Sequence, residues 1–346
     1  MNPVLGIFYH AIGGLAAASF YIPFKKVKNW SWETYWLLGG LFSWIFAPWL
    51  VSFITIPDIF DLLSSIPINN LVWPFIFGMI WGIGGLTFGL SMRYLGMSLG
   101  YALSLGITAA FGTLIPPIYF GQFAELVSNL SGWVTLGGVF ISFVGIAVTG
   151  KAGIRKDSEL SENEKKENIK EFNLKKGAIF SLLAGIMSAS FAFGIAAGKP
   201  IAAKAAELGA PELFVNSPVF ILIMGGGFVT NLIYCLFLGF RNKTVKEFVN
   251  SNNPDYLKNY FFSALAGIIW YLQFMFYGMG TTQMGEYDFS SWSIHMSFII
   301  VFSNMWGLFF NEWTNSSKLT KNYILSGLVI LIISTFIIGV GNYLHN

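Results

Sequence analysis

The residues of this chain that could do chemistry are few and sit in apolar surroundings. Asp288, Trp292 and His295 are spaced four and three apart. On a helix begun by residue 288, that spacing puts carboxylate, indole and imidazole on one stripe. Such a stripe suits a sugar, with donors and acceptors for hydroxyls and an aromatic face for ring C–H groups. The other reading is a solvated helix N-cap at Asp288 and a packed, hydrogen-bonded core histidine at His295. Tyr287 precedes the stripe, and Gln273 lies beside Trp270 and Tyr271. Gln273 is equally able to contact a substrate or to cross-link helices. His10 and Glu33 are the remaining titratable groups in or beside apolar runs. His10 reads as a proton carrier or as a snorkelling or helix-pairing residue. Glu33 reads as a proton carrier or as a first-turn residue favoured by the helix dipole.

Other chemistries lack their residues. There is no Walker A sequence, no HExxH, no GxSxG, and Cys235 is the single cysteine. No nucleophile-base pair, metal set, cofactor motif or repeated channel filter stands out. The sequence therefore predicts a protein that moves a solute, without a cofactor and without catalysis.

The elements that must position these groups are membrane helices. Of 346 residues, 55 % are hydrophobic and 11 % charged, against about 25 % charged in soluble domains. This excludes a soluble enzyme, a disordered chain and a nucleic-acid binder. A run of about 20 apolar residues spans the hydrocarbon core as a helix, because lipid offers backbone groups no partner. Ten runs are predicted, at 4–24, 34–56, 71–91, 98–120, 132–150, 177–198, 218–240, 261–280, 291–311 and 322–343. An ionised group near the bilayer centre costs about 2.5–3.5 kcal/mol on insertion scales, so those that occur there need a reason. Clusters such as Gly13-Gly14, Gly82-x-Gly84-Gly85, Gly137-Gly138 and Gly225-Gly226-Gly227 let helices approach closely, or let them bend.

Eighteen of the twenty Lys and Arg residues fall in odd-numbered loops, including Lys25, Lys26, Lys28 and Arg93. By the positive-inside rule those loops are cytoplasmic, and an even helix count puts both termini outside. The predicted layout is a first five-helix repeat at 1–150, a charged cytoplasmic connector at 151–176 and a second five-helix repeat at 177–346. Gly14–Phe20 echoes Gly185–Phe191, and Gly78-x-Ile80-Trp81 echoes Gly267-x-Ile269-Trp270. Five helices per half forces the halves to be inverted, a pattern of secondary transporters with the substrate site near mid-membrane. The fold class is thus an all-α integral membrane protein of ten transmembrane helices in two inverted five-helix repeats.

Several stretches carry a family resemblance. They are Phe20-Tyr21-Ile22-Pro23-Phe24-Lys25-Lys26-Val27-Lys28-Asn29-Trp30-Ser31-Trp32-Glu33, Met92-Arg93-Tyr94-Leu95-Gly96-Met97-Ser98, Glu171-Phe172-Asn173-Leu174-Lys175-Lys176-Gly177, Trp270-Tyr271-Leu272-Gln273-Phe274, and Tyr287-Asp288 through Ser291-Trp292 to His295-Met296-Ser297-Phe298. In these the chain closely resembles the L-rhamnose–proton symporter family of the drug/metabolite transporter superfamily. The resemblance implies an inner-membrane protein that imports L-rhamnose, or a related deoxy or L-configured sugar, with protons. It departs at Gly85, Thr87 and Phe88, where the better-known form carries two asparagines and a tyrosine, which puts the identity of the sugar in question. On this reading Trp270, Gln273, Tyr287, Trp292 and His295 contact the sugar, and Asp288, Glu33 or His10 carries the proton. The alternatives are an exporter of amphipathic metabolites or drugs, and a sodium-coupled sugar symporter.

Overall fold

The computed structural model describes residues 1–95, 97–119, 121–159, 173–250, 252–311 and 313–345. Residues 160–172 of the predicted connector lie outside the described residues, and so does the side chain of Arg93. The described chain is all helix and turn. Among the described residues, the ten predicted apolar intervals fall mainly on helix. Among the described residues, nine helices are long and apolar enough to cross a membrane, and the apolar segment Leu103–Tyr119 is shorter.

The helices pack as two compact units that interleave along the sequence. Unit 1 comprises Met1–Leu15, Gly84–Ala192 and Gly280–Asn346, and unit 2 comprises Ala16–Ile83 and Phe193–Met279. Four helices contribute to both units: α1 (Pro3–Ser19), α6 (Ile68–Leu95), α10 (Leu174–Ala197) and α13 (Tyr256–Thr282). Unit 1 also contains α7 (Met97–Tyr119), α8 (Phe123–Leu126), α9 (Leu130–Glu159), α14 (Ser290–Phe309) and α15 (Lys318–His345). Unit 2 also contains α2 (Tyr21–Phe24), α3 (Trp32–Gly40), α4 (Ala47–Thr55), α5 (Ile59–Ser65), α11 (Lys199–Glu207) and α12 (Ser217–Asn242).

Small residues set the packing in each unit. In unit 1, α9 and α15 run antiparallel, and added methyl groups would collide reciprocally: Gly138 with Ile338, Gly145 with Leu331, Gly327 with Thr149 and Gly341 with Thr135. In unit 2, a methyl at Gly78 would strike the Ile223 carbonyl, and one at Gly226 the Phe75 carbonyl, so α6 and α12 meet backbone to backbone. Lipid supplies no hydrophobic drive between helices, so such close van der Waals approach is what holds them together.

One span is not regular. Between α3 and α4 the residues Leu41–Phe46 form a π-helical segment. Pro48 follows at once and has no N–H to continue the ladder. Wide turns of this kind recur at functional sites.

Candidate functional site

In unit 1 the two intramembrane histidines come together. His10 on α1 and His295 on α14 lie edge to face with ring centroids 5.9 Å apart. Both are buried, at 0 % and 2 % exposure. Glycines make the room: an added methyl at Gly280 would sit 2.6 Å from His10 Cε1, and one at Gly6 2.8 Å from Met284 Sδ. The N-terminal part of α1 is thereby seated against the end of α13 and against α14.

α14 is enclosed on every side over Ser290–Ser297, a stretch with four serines besides Trp292 and His295. Several of its polar groups are engaged within the unit. Trp292 Nε1 donates to the Thr108 carbonyl at 3.0 Å, and its ring stacks on Phe191. The Ser293 and Ser142 hydroxyls lie 2.7 Å apart, and Asn342 Nδ2 donates to Ser290 Oγ. Tyr287 donates its hydroxyl proton to Asn129 Oδ1 at 2.9 Å and stacks on His345. α14 begins at Ser290, not at 288. Asp288 therefore precedes the helix, partly exposed, with a helical backbone and a carbonyl that accepts from Ser291 N–H.

Trp270, Gln273 and Glu33 belong to unit 2. Trp270 stacks on Phe20 at 4.6 Å and meets Trp36 and Trp44, each at 4.9 Å. Gln273 is buried one turn further along α13. Glu33, buried in the first turn of α3, is held by donors at and just past the end of α12: its Oε1 accepts from Asn242 Nδ2 at 3.0 Å and Thr244 Oγ1 at 2.8 Å. Beside it, Ser31 donates its backbone N–H and its hydroxyl to Glu247. Glu33 thus closes a helix end.

Sequence reasoning did not single out Trp36, Trp44 and Trp81. The usable signal was depth. Membrane tryptophans gather at the water interfaces, whereas Trp44 and Trp81 fall near the middle of their spans. Among the described residues no group of three or more His, Cys, Asp or Glu could hold a metal ion.

This architecture, with titratable side chains buried among long apolar helices, is that of a multi-pass membrane protein. The sequence model of the family described as L-rhamnose-proton symport protein matches residues 1–343, and the chain belongs to that family. It is 42 % identical over 341 residues to the L-rhamnose-proton symporter of Yersinia pestis (strain Pestoides F), covering 98 % of both chains. The L-rhamnose-proton symporter of Yersinia pseudotuberculosis serotype O:3 (strain YPIII) is similar to the same extent.

Proposed function

We propose that this chain imports L-rhamnose, or a closely related deoxy sugar, across the inner membrane together with protons. The observation that carries the reading is the family match along residues 1–343. The driving force suffices: one charge moving through 100 mV is worth about 2.3 kcal/mol, and a tenfold sugar gradient costs about 1.4 kcal/mol.

In this reading the sugar is held by Trp270 and Gln273, and Tyr287, Trp292 and His295 act within unit 1 during transport. The proton is carried at the His10–His295 pair, whose juxtaposition within a sealed helix contact favours it over Glu33. Asp288 stands seven residues before His295, about 10 Å along a helical path, and passes the proton to and from water.

The ten-helix inverted repeat belongs to the same proposal. Its support is that corresponding spans are divided alike between the units. The first span of each half starts in unit 1 and ends in unit 2, the second lies in unit 2, the third returns from unit 2 to unit 1, and the last two lie in unit 1. Loop contacts support the orientation. Glu159 at the end of α9 bonds Ser317 before α15, and Glu247 after α12 bonds Ser31 before α3, joining odd-loop ends to odd-loop ends. Asn129 before α9, Tyr287 before α14 and the C-terminal His345 meet as an even-loop group. With the odd loops cytoplasmic, both termini are periplasmic.

Alternating access needs helices that bend. All four helices shared by the units carry a glycine at or within two residues of the division: Gly14, Gly84, Gly194 and Gly280.

The test is competition for labelled L-rhamnose uptake into proteoliposomes. Unlabelled 6-deoxy-L-hexoses should compete and amphipathic drugs should not. Efflux of the drugs without any sugar uptake would replace this reading with the exporter.

A further inference from the structure

The chain places three tryptophans where membrane proteins rarely keep them. Trp44 is near the middle of the Trp32–Thr55 span, Trp81 near the middle of α6 and Trp270 near the middle of α13. All three belong to unit 2. Trp44 is the hub. Its ring meets Trp270 at 4.9 Å, Trp81 at 6.0 Å and Trp36 at 6.2 Å, edge to face in each case. Phe20 stacks on the far side of the group against Trp270, and Phe274 stands edge-on to Trp81 at 5.5 Å.

The cluster is built with care for space. A methyl at Gly40 would sit 2.7 Å from the Trp44 ring, and one at Gly227 2.6 Å from the Trp81 ring. The π-helical segment Leu41–Phe46 carries Trp44, so the irregular turn is what aims the hub. Trp44 is 2 % exposed, and its indole N–H has no hydrogen-bond partner among the described residues. Trp36, Trp81 and Trp270 are partly exposed. Polar groups close by in the chain include Tyr271 and Gln273 on α13 and Ser43 beside Trp44, and Asn231 accepts from Trp36 Nε1 at 3.1 Å.

We propose that Trp36, Trp81 and Trp270, fixed by Trp44 behind them, form the platform that recognises the apolar face and the C6 methyl of a 6-deoxyhexose. Rings with negative faces attract the polarised C–H groups of a sugar. A wall of ring faces favours a sugar that lacks the 6-hydroxyl, because a hydroxyl pressed against those faces would lose its water without gaining a partner. Trp44 is a positioning residue, since it is sealed behind the others. The inference rests on the sugar-transport reading above and names the residues that select the sugar.

The experiment is counterflow in proteoliposomes with L-rhamnose and with its 6-hydroxy counterpart, L-mannose. Wild-type activity on either sugar establishes transport separately from the platform. Trp81→Leu and Trp36→Leu should raise the KM for L-rhamnose at least tenfold, leave Vmax within about twofold and narrow the preference over L-mannose. Trp44→Phe should raise both KM values by a smaller factor. A role in packing alone predicts less assembled protein and lower Vmax with unchanged KM and preference, and that result overturns the proposal. Wild-type protein labelled with 5-fluorotryptophan serves where a variant does not assemble. L-Rhamnose should shift resonances from the cluster and leave those of exposed Trp73 and Trp133 in place, and binding without any cluster shift likewise overturns it.

Discussion

The imidazoles of His10 and His295 meet edge to face, ring centroids 5.9 Å apart, although one comes from the first helix of the chain and the other from α14. Gly280 abuts the His10 ring. Two titratable groups sealed into one helix contact can hold a proton away from water, which a symporter requires of its coupling site. Substituting either histidine by glutamine keeps the volume and removes the titration. His10→Gln and His295→Gln should therefore abolish accumulation of L-rhamnose driven by a pH gradient, with sugar counterflow preserved in His10→Gln. Normal accumulation by both variants would move the coupling site elsewhere.

Glu33 is expected to matter for folding more than for coupling. Its carboxylate is the acceptor for Asn242 and Thr244, which ties the start of α3 to the end of α12. Glu33→Ala removes those hydrogen bonds, each worth about 0.5–1.5 kcal/mol where water can replace the acceptor. It should lower the thermal midpoint of the detergent-solubilised protein, while Glu33→Gln keeps proton-coupled uptake. Loss of coupling in Glu33→Gln with unchanged thermal stability would return Glu33 to the proton path.

A second carboxylate clamp gives a pH signature. Glu159 Oε2 accepts from Ser317 N–H at 2.8 Å, and its Oε1 accepts from the Ser317 and Thr320 hydroxyls, each at 2.6 Å. These hydrogen bonds hold its pKa down, to about 2. A group depressed on folding contributes stability above its unfolded pKa, near 4.3, and loses it as pH falls through the folded value. Melting curves between pH 6 and pH 3 should thus be less pH-dependent in Glu159→Gln than in the unsubstituted protein. Parallel curves would deny the clamp.

Helix contact in unit 2 depends on two glycines. A methyl group at Gly78 would occupy the position of the Ile223 carbonyl, which is backbone and cannot turn aside. Gly78→Ala should reduce the monodisperse fraction on gel filtration severely. Gly85→Ala, where an added methyl meets nothing within 4 Å, should be tolerated. Equal yields of the two variants would contradict the packing described for α6 and α12.

The apolar spans were legible because lipid forces runs of about 20 apolar residues, and nine described helices are long and apolar enough to cross a membrane. The functional detail was less so. Nothing in local spacing links His10 to His295, since their contact is set by where α1 seats on unit 1. The stripe through Asp288 needed a helix begun at 288, but a short 3-10 turn at Gly285–Tyr287 delays α14 to Ser290. Trp292 was legible as buried and polar-handed, yet its N–H is spent on Thr108 of a neighbouring helix, a partner that no periodicity reveals. The π-helical segment leaves no period of its own in six residues, so Trp44 passed as one aromatic among many in a chain that is 18 % aromatic.

The central claim is coupling of sugar to protons, and simultaneous measurement of labelled L-rhamnose entry and external pH in vesicles tests it most directly. The account predicts sugar entry accompanied by alkalinisation outside, with accumulation abolished by an uncoupler. Sugar entry without alkalinisation, or no entry under an imposed proton gradient, would contradict it.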